Sequence, residues 1–421
     1  MVNNTTDQND KPETPVENPG IRAYLSKPLG IAIATIATAT FICLIIALMV
    51  YSGSDTVADH KQSIPHEQQG FTSANSTNPY EEIEKDDLED LVKIADLSLI
   101  NTLKSADVSM SDLKLEDVTL KKHQGRYFHF QQLRFPLNGN KLNFVENIKK
   151  RLSAAGLAAN IHKVSEGCWL LSINEVPTHK FFIDTAIQQE KPVAVVIDPN
   201  APKMAIVIDD MGEDVNFARG LAALDIKVTF SIWPNSSHVN KVAKIAKNSG
   251  NEIMIHLPMQ PKGYPKVNPG ADSLLVGMDS KTIQQRVVTA MNKVPYATGL
   301  NNHMGSRFTE NLAGMSEVMI PLHQKKIFFL DSRTTAKSTA RKAAKKAKVT
   351  LYERNIFLDN VKDVAAIKFQ LAKAAKIARK TGQSIAIGHP NRETLEAIKQ
   401  WSVEINGKIK VVPVKDLVPK S

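Results

Sequence analysis

Acidic, imidazole and guanidinium side chains recur in this chain at one kind of place, directly after a short apolar run. Asp209 and Asp210 follow Met204–Ile208, Trp233 follows Val228–Ile232, and His256 follows Glu252–Ile255. Further on, His303 follows Thr298–Asn301, Asp331 and Arg333 follow Ile327–Leu330, Asp359 follows Ile356–Leu358, and His389 follows Ser384–Ile387. Each residue alone has an ordinary explanation. An acidic pair after a strand can cap the next helix, and a lone histidine is more often a packing residue than a ligand. Their joint occurrence after nearly every apolar run calls for a chemical reason. Neutral imidazole nitrogens together with an anionic oxygen suit a divalent ion such as zinc. Three protein ligands leave one position for water, and an ion so held acidifies that water and polarises a carbonyl. A second carboxylate can take the water proton, and an opposing histidine can protonate a leaving group. The set therefore describes metal-assisted hydrolysis of an ester or amide.

These side chains can meet only if the apolar runs are parallel strands. Helical patterns lie between and after the runs, near 213–224, 237–249, 279–292, 313–325, 336–347, 362–380 and 393–404. Regular strand–helix alternation predicts a parallel sheet covered by helices. Seven such units suit a closed or nearly closed α/β barrel, in which residues after the strands gather on the C-terminal rim. An open doubly wound sheet is the alternative. A dinucleotide fold is disfavoured, because Asp209-Asp210-Met211-Gly212 stands where a Gly-rich phosphate loop would follow the first strand.

The segments IVIDDMG (206–212), EIMIHLPMQP (252–261), GLNNHMGSRFT (299–309), FFLDSRT (328–334), the stretch from Arg354 to Asp359, and AIGHP (386–390) resemble the divergent polysaccharide deacetylase family. That family is related to carbohydrate esterases with a distorted, incomplete seven-stranded barrel, so the resemblance implies a (β/α)7 barrel from about residue 202 to the C-terminus. It implies Asp210, His256 and His303 as metal ligands, Asp209 as general base and His389 as general acid. Asp331 and Arg333 would orient these groups, and Asp359 would hold His389 or Arg333. Asp209 and Asp210 remain interchangeable at this point, because adjacent strand residues point in opposite directions. Relatives in the wider family place two metal histidines four residues apart. Here Gln260 occupies the second of those positions, so the site must borrow His303 or be weaker. On the substrate side, Trp233 offers a ring for a sugar. Asn302, with Asn301, Ser306, Arg307 and Asp359, offers hydrogen-bonding groups. The resemblance implies deacetylation of an envelope polysaccharide such as peptidoglycan. The rival reading is a non-catalytic glycan-binding or scaffolding protein that keeps the barrel.

The rest of the chain sets the context. Its 421 residues are enough for two domains plus tails, and its formal net charge is +10. The basic residues are dispersed and the aromatic fraction is 6%, which argues against a nucleic-acid partner. The 2 cysteines, Cys43 and Cys168, make neither a disulfide framework nor a metal site. Residues 29–51 are apolar and uncharged, long enough to cross a bilayer. Arg22 and Lys27 precede this run while Asp55 and Asp59 follow it, which places the N-terminus inside and the bulk outside the cytoplasmic membrane. The expected organisation is a disordered cytoplasmic tail (1–28), a membrane anchor (29–51), a flexible linker (52–80), a small α/β module of unknown role (81–198) and the deacetylase-like domain (202–421). Within the module the spacing predicts helices over Asp87–Leu103 and Leu142–Leu157, with Gly156 near the end of the second. It predicts strands over Tyr127–Leu133, Cys168–Ile173 and Pro192–Ile197.

Overall fold

The computed structural model describes residues 87–185, 201–405 and 407–420. The expected anchor at 29–51, the tail, the linker and the predicted strand at Pro192–Ile197 lie outside the described residues. No helix among the described residues is long and apolar enough to cross a membrane.

The first elements are α1 (Leu88–Ser105), β1 (Lys114–His123), β2 (Arg126–Pro136), α2 (Lys141–Ala154), β3 (Ala159–Ser165), β4 (Cys168–Ile173) and β5 (Val176–Asp184). They build a five-stranded sheet of order β1-β2-β5-β4-β3, in which β2 and β5 run parallel. Asp87 caps α1 and Asn140 caps α2 by accepting early backbone N–H groups. Gln124-Gly125 and Asn174-Glu175 all take positive φ and turn the chain in two-residue hairpins. Three strands here, β1, β3 and β5, are absent from the sequence reading. The reason is visible in β1, whose second half is exposed and carries Lys121, Lys122 and His123 instead of a regular apolar alternation.

The second sheet begins with β6 (Lys203–Met211), α3 (Val215–Ala222), β7 (Thr229–Ile232), α4 (Val239–Asn248), β8 (Glu252–Met259), α5 (Ser280–Lys293), β9 (Gly299–Met304) and α6 (Leu312–Lys325). It continues with β10 (Phe328–Asp331), α7 (Ala340–Ala347), β11 (Leu351–Glu353), β12 (Ile356–Phe357), α8 (Val364–Thr381), β13 (Gln383–Gly388), α9 (Arg392–Ile405) and β14 (Lys410–Val411). All seven predicted strands are present. Two short ones join them, β11 and β14, giving nine strands instead of seven. Every pairing in this sheet is parallel.

The strand path is β11-β10-β9-β8-β7-β6-β13-β12, with β14 beside the start of β6. Its two ends, β11 and β12, are separated in sequence only by Arg354 and Asn355. From Glu353 to Ile356 the chain can span at most about 11 Å. Eight strands laid flat would hold their outer members about 34 Å apart. The sheet must therefore curl until its edges nearly meet. The curl divides side chains by period two. Met204, Ile206 and Ile208 face the helices, together with Ile253, Ile255, Leu300 and Phe329. Ala205, Val207, Met254, Phe328, Leu330, Phe357, Ile385 and Ile387 fill the interior. At the N-terminal end of the strands, buried Glu252 accepts from the Thr229 and Thr298 hydroxyls and from the backbone N–H of Val414, tying the C-terminal segment across that mouth.

The two sheets meet along α8. Ala366 and Phe369 of α8 belong to the apolar core of the first sheet, and Val361 packs against it. Lys373, on the same helix, is fully buried with its Nζ 3.1 Å from Asp96 Oδ2. Asp96 also meets buried His179 at 3.0 Å and accepts from Gln131 at 2.7 Å. Burial alone would raise the Asp96 carboxyl, but Lys373 and His179 hold it below its ordinary value. Lys104–Asp363 and Lys380–Asp117, both at 2.6 Å, flank this pin. Removing one partner of a buried pair strands the other charge, so Asp96→Ala is expected to cost roughly 3–5 kcal/mol in urea unfolding. Asp96→Leu combined with Lys373→Met should recover most of that loss. An Asp96→Ala protein as stable as wild type would show that the pair carries no such weight.

Candidate functional site

The interior phase continues past the strand ends and selects the site. Counting by twos, Val207 leads to Asp209, Met254 to His256, and Ile387 to His389, while Asn301 leads to His303 and Phe357 to Asp359. The parallel register Gly388↔Ile208 sets His389 beside Asp209, and Pro258↔His303 sets the β9 histidine beside the β8 strand. In a regular strand Asp210 would face away from Asp209. A bulge between Ile208 and Met211 and a φ of +52° at Asp210 break the alternation. Bulges of this kind re-aim a side chain, and here both carboxylates reach the rim.

Asp210, His256 and His303 converge, with one ligand atom from each lying within 4.8 Å of the others. Asp210 Oδ1 is 2.9 Å from His303 Nδ1 and 3.1 Å from His256 Nε2. The two ring nitrogens are 3.1 Å apart. Asp210 Oδ1 is buried, and neither approach gives it a hydrogen-bond partner. Ligand atoms around a tetrahedral zinc at 2.0–2.1 Å stand about 3.3 Å from each other, so these three atoms fit a divalent ion with shifts of a few tenths of an ångström. The opposite side of His256 is saturated, because Nδ1 meets Asn301 Oδ1 at 2.9 Å. Such a contact orients a metal histidine. Electrostatics point the same way. Burial alone would lower His256, but Asp209 and Asp210 outweigh it and raise the imidazole to about 9. Burial alone would raise Asp210, but His303 and His256 hold it well below the carboxylate range. The cluster thus attracts positive charge, a proton or a cation.

Around the cluster, Asp209 Oδ1 accepts from Asn301 Nδ2 at 2.8 Å and lies 3.6 Å from His256 Nδ1. Asp359 is buried and accepts from His389 twice, from the backbone N at 2.6 Å and at Nδ1 at 2.9 Å, and from Thr394 Oγ at 2.7 Å. Burial alone would lower His389, but Asp359, aided by Asp210 and Asp209, raises it above the ordinary imidazole value. Asp359 is therefore tied to His389 and not to Arg333.

Three expected residues, Asp331, Arg333 and Asn302, are engaged by other partners, and Trp233 lies against the cluster. Asp331 falls on the helix-facing phase with Phe329, and its carboxylate accepts from the Arg333 backbone at 2.8 Å. Arg333 lies 3.7 Å from Glu353. Neither touches the Asp–His cluster, and Ser332, one residue on, is the one that meets Asn301 at 3.2 Å. Asn302 is out of phase as well. It is buried, with its amide engaged by Met304 O at 2.7 Å and the Ser332 N–H at 2.9 Å, so it faces no ligand. Trp233 stacks on His303 at 5.7 Å between ring centroids and abuts Gly270, where a Cβ would come within 2.5 Å of Cζ2. Its ring supports a cluster histidine.

Gln260 takes no part in the cluster. Its Oε1 accepts from Val276 N at 2.7 Å and fastens the following loop. The residue missed at the sequence level is Asn301 as a link between Asp209 and His256. Counting by twos back from His303 sets Asn301 on the interior phase, and the fold alone supplies its two partners.

The comparisons agree with this geometry. A family model described as divergent polysaccharide deacetylase matches residues 206–418. The uncharacterized protein YibQ of Escherichia coli (strain K12) is 37% identical over 218 residues, covering 52% of this chain and 68% of that protein. An uncharacterized protein of Haemophilus influenzae is 38% identical over 215 residues, covering 51% of this chain and 76% of its own. The crystal structure of an uncharacterized protein from Agrobacterium tumefaciens C58 is similar with a TM-score of 0.50 and 30% identity, over 52% of this chain and 89% of the other. On the strength of that model match and these two relatives, the chain belongs to the divergent polysaccharide deacetylase family.

Proposed function

We propose that this protein is a metal-dependent carbohydrate deacetylase, with residues 202–421 as its catalytic domain and residues 81–198 as an attached module. In this reading residues 29–51 anchor it in the cytoplasmic membrane, and the catalytic domain faces an envelope polysaccharide such as peptidoglycan. The observation that carries the catalytic reading is the convergence of Asp210, His256 and His303, with Asp209 and the Asp359–His389 pair beside it. Family membership supports the carbohydrate substrate. The uncharged apolar run and its flanking charges support the membrane placement.

Asp210, His256 and His303 would hold the ion, most simply zinc, which when bound polarises the acyl carbonyl and acidifies water. Asp209, positioned by Asn301, accepts the proton of the attacking water. His389 gives a proton to the departing sugar nitrogen or oxygen, and Asp359 keeps its Nδ1 face engaged so that the other nitrogen can serve. The curled sheet supplies rigid strand ends, so these groups are held without loop rearrangement.

Elemental analysis of the full chain is expected to find about one divalent ion per molecule. The double variant His256→Ala/His303→Ala should lose it while keeping the circular dichroism of the wild type. Wild-type protein that takes up no metal, even after incubation with divalent ions, would turn the reading to a non-catalytic glycan-binding protein.

The pH dependence has a definite sign. His389 acts protonated, so activity falls as pH rises through its pKa, which Asp359 holds up. Asp359→Asn removes that support and should move the alkaline limb of the pH–rate profile to lower pH. An unchanged limb would count against His389 as the acid.

A further inference from the structure

Asn301 is wholly buried on β9 and makes four side-chain hydrogen bonds. Oδ1 meets His256 Nδ1 at 2.9 Å and accepts from Ser231 Oγ at 2.6 Å. Nδ2 donates to Asp209 Oδ1 at 2.8 Å and to Ser332 Oγ at 3.2 Å. These are all the hydrogen bonds an amide can make. The order of dependence then follows from donor and acceptor chemistry. The NH2 group donates to Asp209 Oδ1 and to Ser332 Oγ, which fixes the orientation of the amide. The carbonyl is thereby forced toward His256, which must carry its proton on Nδ1. Nε2 is left facing the space shared with Asp210 and His303, where a bound ion would take its lone pair.

We propose that Asn301 is a positioning residue that joins Asp209 to His256, so that its amide, held by Asp209, fixes which ring nitrogen His256 presents as ligand. The proposal rests on the metal site described above. It assigns Asn301 a task other than contact with a sugar. Asn301 touches no reacting atom and acts through its two neighbours, as outer partners of metal histidines do.

The test uses the full chain with cobalt(II) as an optical probe, and the zinc-loaded chain for proton resonance of histidine-labelled protein. In wild type the exchangeable Nδ1 proton of His256 should be protected and visible. Asn301→Ala removes its acceptor, and this signal should vanish while cobalt binds about 10–100-fold more weakly. Asn301→Asp keeps an acceptor for His256 and exchanges the amide donor for a second carboxylate beside Asp209. It should retain the signal, because an oxygen still faces Nδ1, while the donor to Asp209 is gone. That split is not expected of a residue that merely fills space, for which the two variants would fall together. Asn301→Ala protein that binds cobalt as tightly as wild type would overturn the proposal. So would Asn301→Asp protein that folds but lacks the Nδ1 signal, and this arm decides the matter if Asn301→Ala does not fold. Wild-type protein that binds no cobalt would instead overturn the metal site on which the proposal depends.

Discussion

A parallel sheet whose first and last strands are joined by two residues has to curl, and the site depends on that constraint. Arg354 and Asn355 bridge β11 and β12, the two ends of the strand path. Because every strand is parallel, all carboxyl ends open on one rim. Because the sheet curls, the inner phases of distant strands face a common centre. Asp209 and His303 are 94 positions apart in sequence by their numbering, yet Asn301 Nδ2, two residues before His303, donates to Asp209 at 2.8 Å. No local interaction could arrange this. Burial of Met204, Ile206 and Ile208 against the helices on one face, and of Ala205 and Val207 on the other, holds the strand that presents the acidic pair.

Within that frame one local irregularity decides the chemistry. The bulge at Asp210 lets two successive carboxylates share a face that a regular strand would give to only one. Their combined charge overcomes burial at His256 and raises its pKa. The same field that draws a proton to the cluster would be neutralised by a divalent ion. Asn301 distinguishes the two carboxylates. It engages Asp209 through a neutral amide and leaves Asp210 with an oxygen that no donor satisfies.

The first sheet is part of the same body. Lys373, on a helix of the curled sheet, is fully buried and paired with Asp96 on α1, and the helix surface around it is apolar at Ala366 and Phe369. A helix built to stand in water would not bury a lysine there. The segment Val361 to Asp363, just past Asp359, also contacts the first sheet, at Val361 through its apolar core and at Asp363 through Lys104. The module therefore packs beside the segment that follows the partner of His389.

Much of this was legible from residue order. The seven principal strands, their covering helices and the Asp–His set all follow from apolar periodicity and from what stands at the end of each run, because these are local properties of a chain in contact with a core. What period two alone could have refined is the exclusion of Asp331 and Asn302, whose phase sets them with Phe329 and Leu300 on the outer face. The edge strands β1 and β3 gave little local signal, because exposed edges need no apolar alternation. Residue order determined which chemical groups stand at strand ends. Only the tertiary structure decided that Asp210 and not Asp209 meets both histidines, that Gln260 fastens a loop, and that Asn301 joins Asp209 to His256. The physical reason is that a bulge, a strand register and the curl of a sheet are set by packing between segments far apart in the chain, which the order of residues does not display.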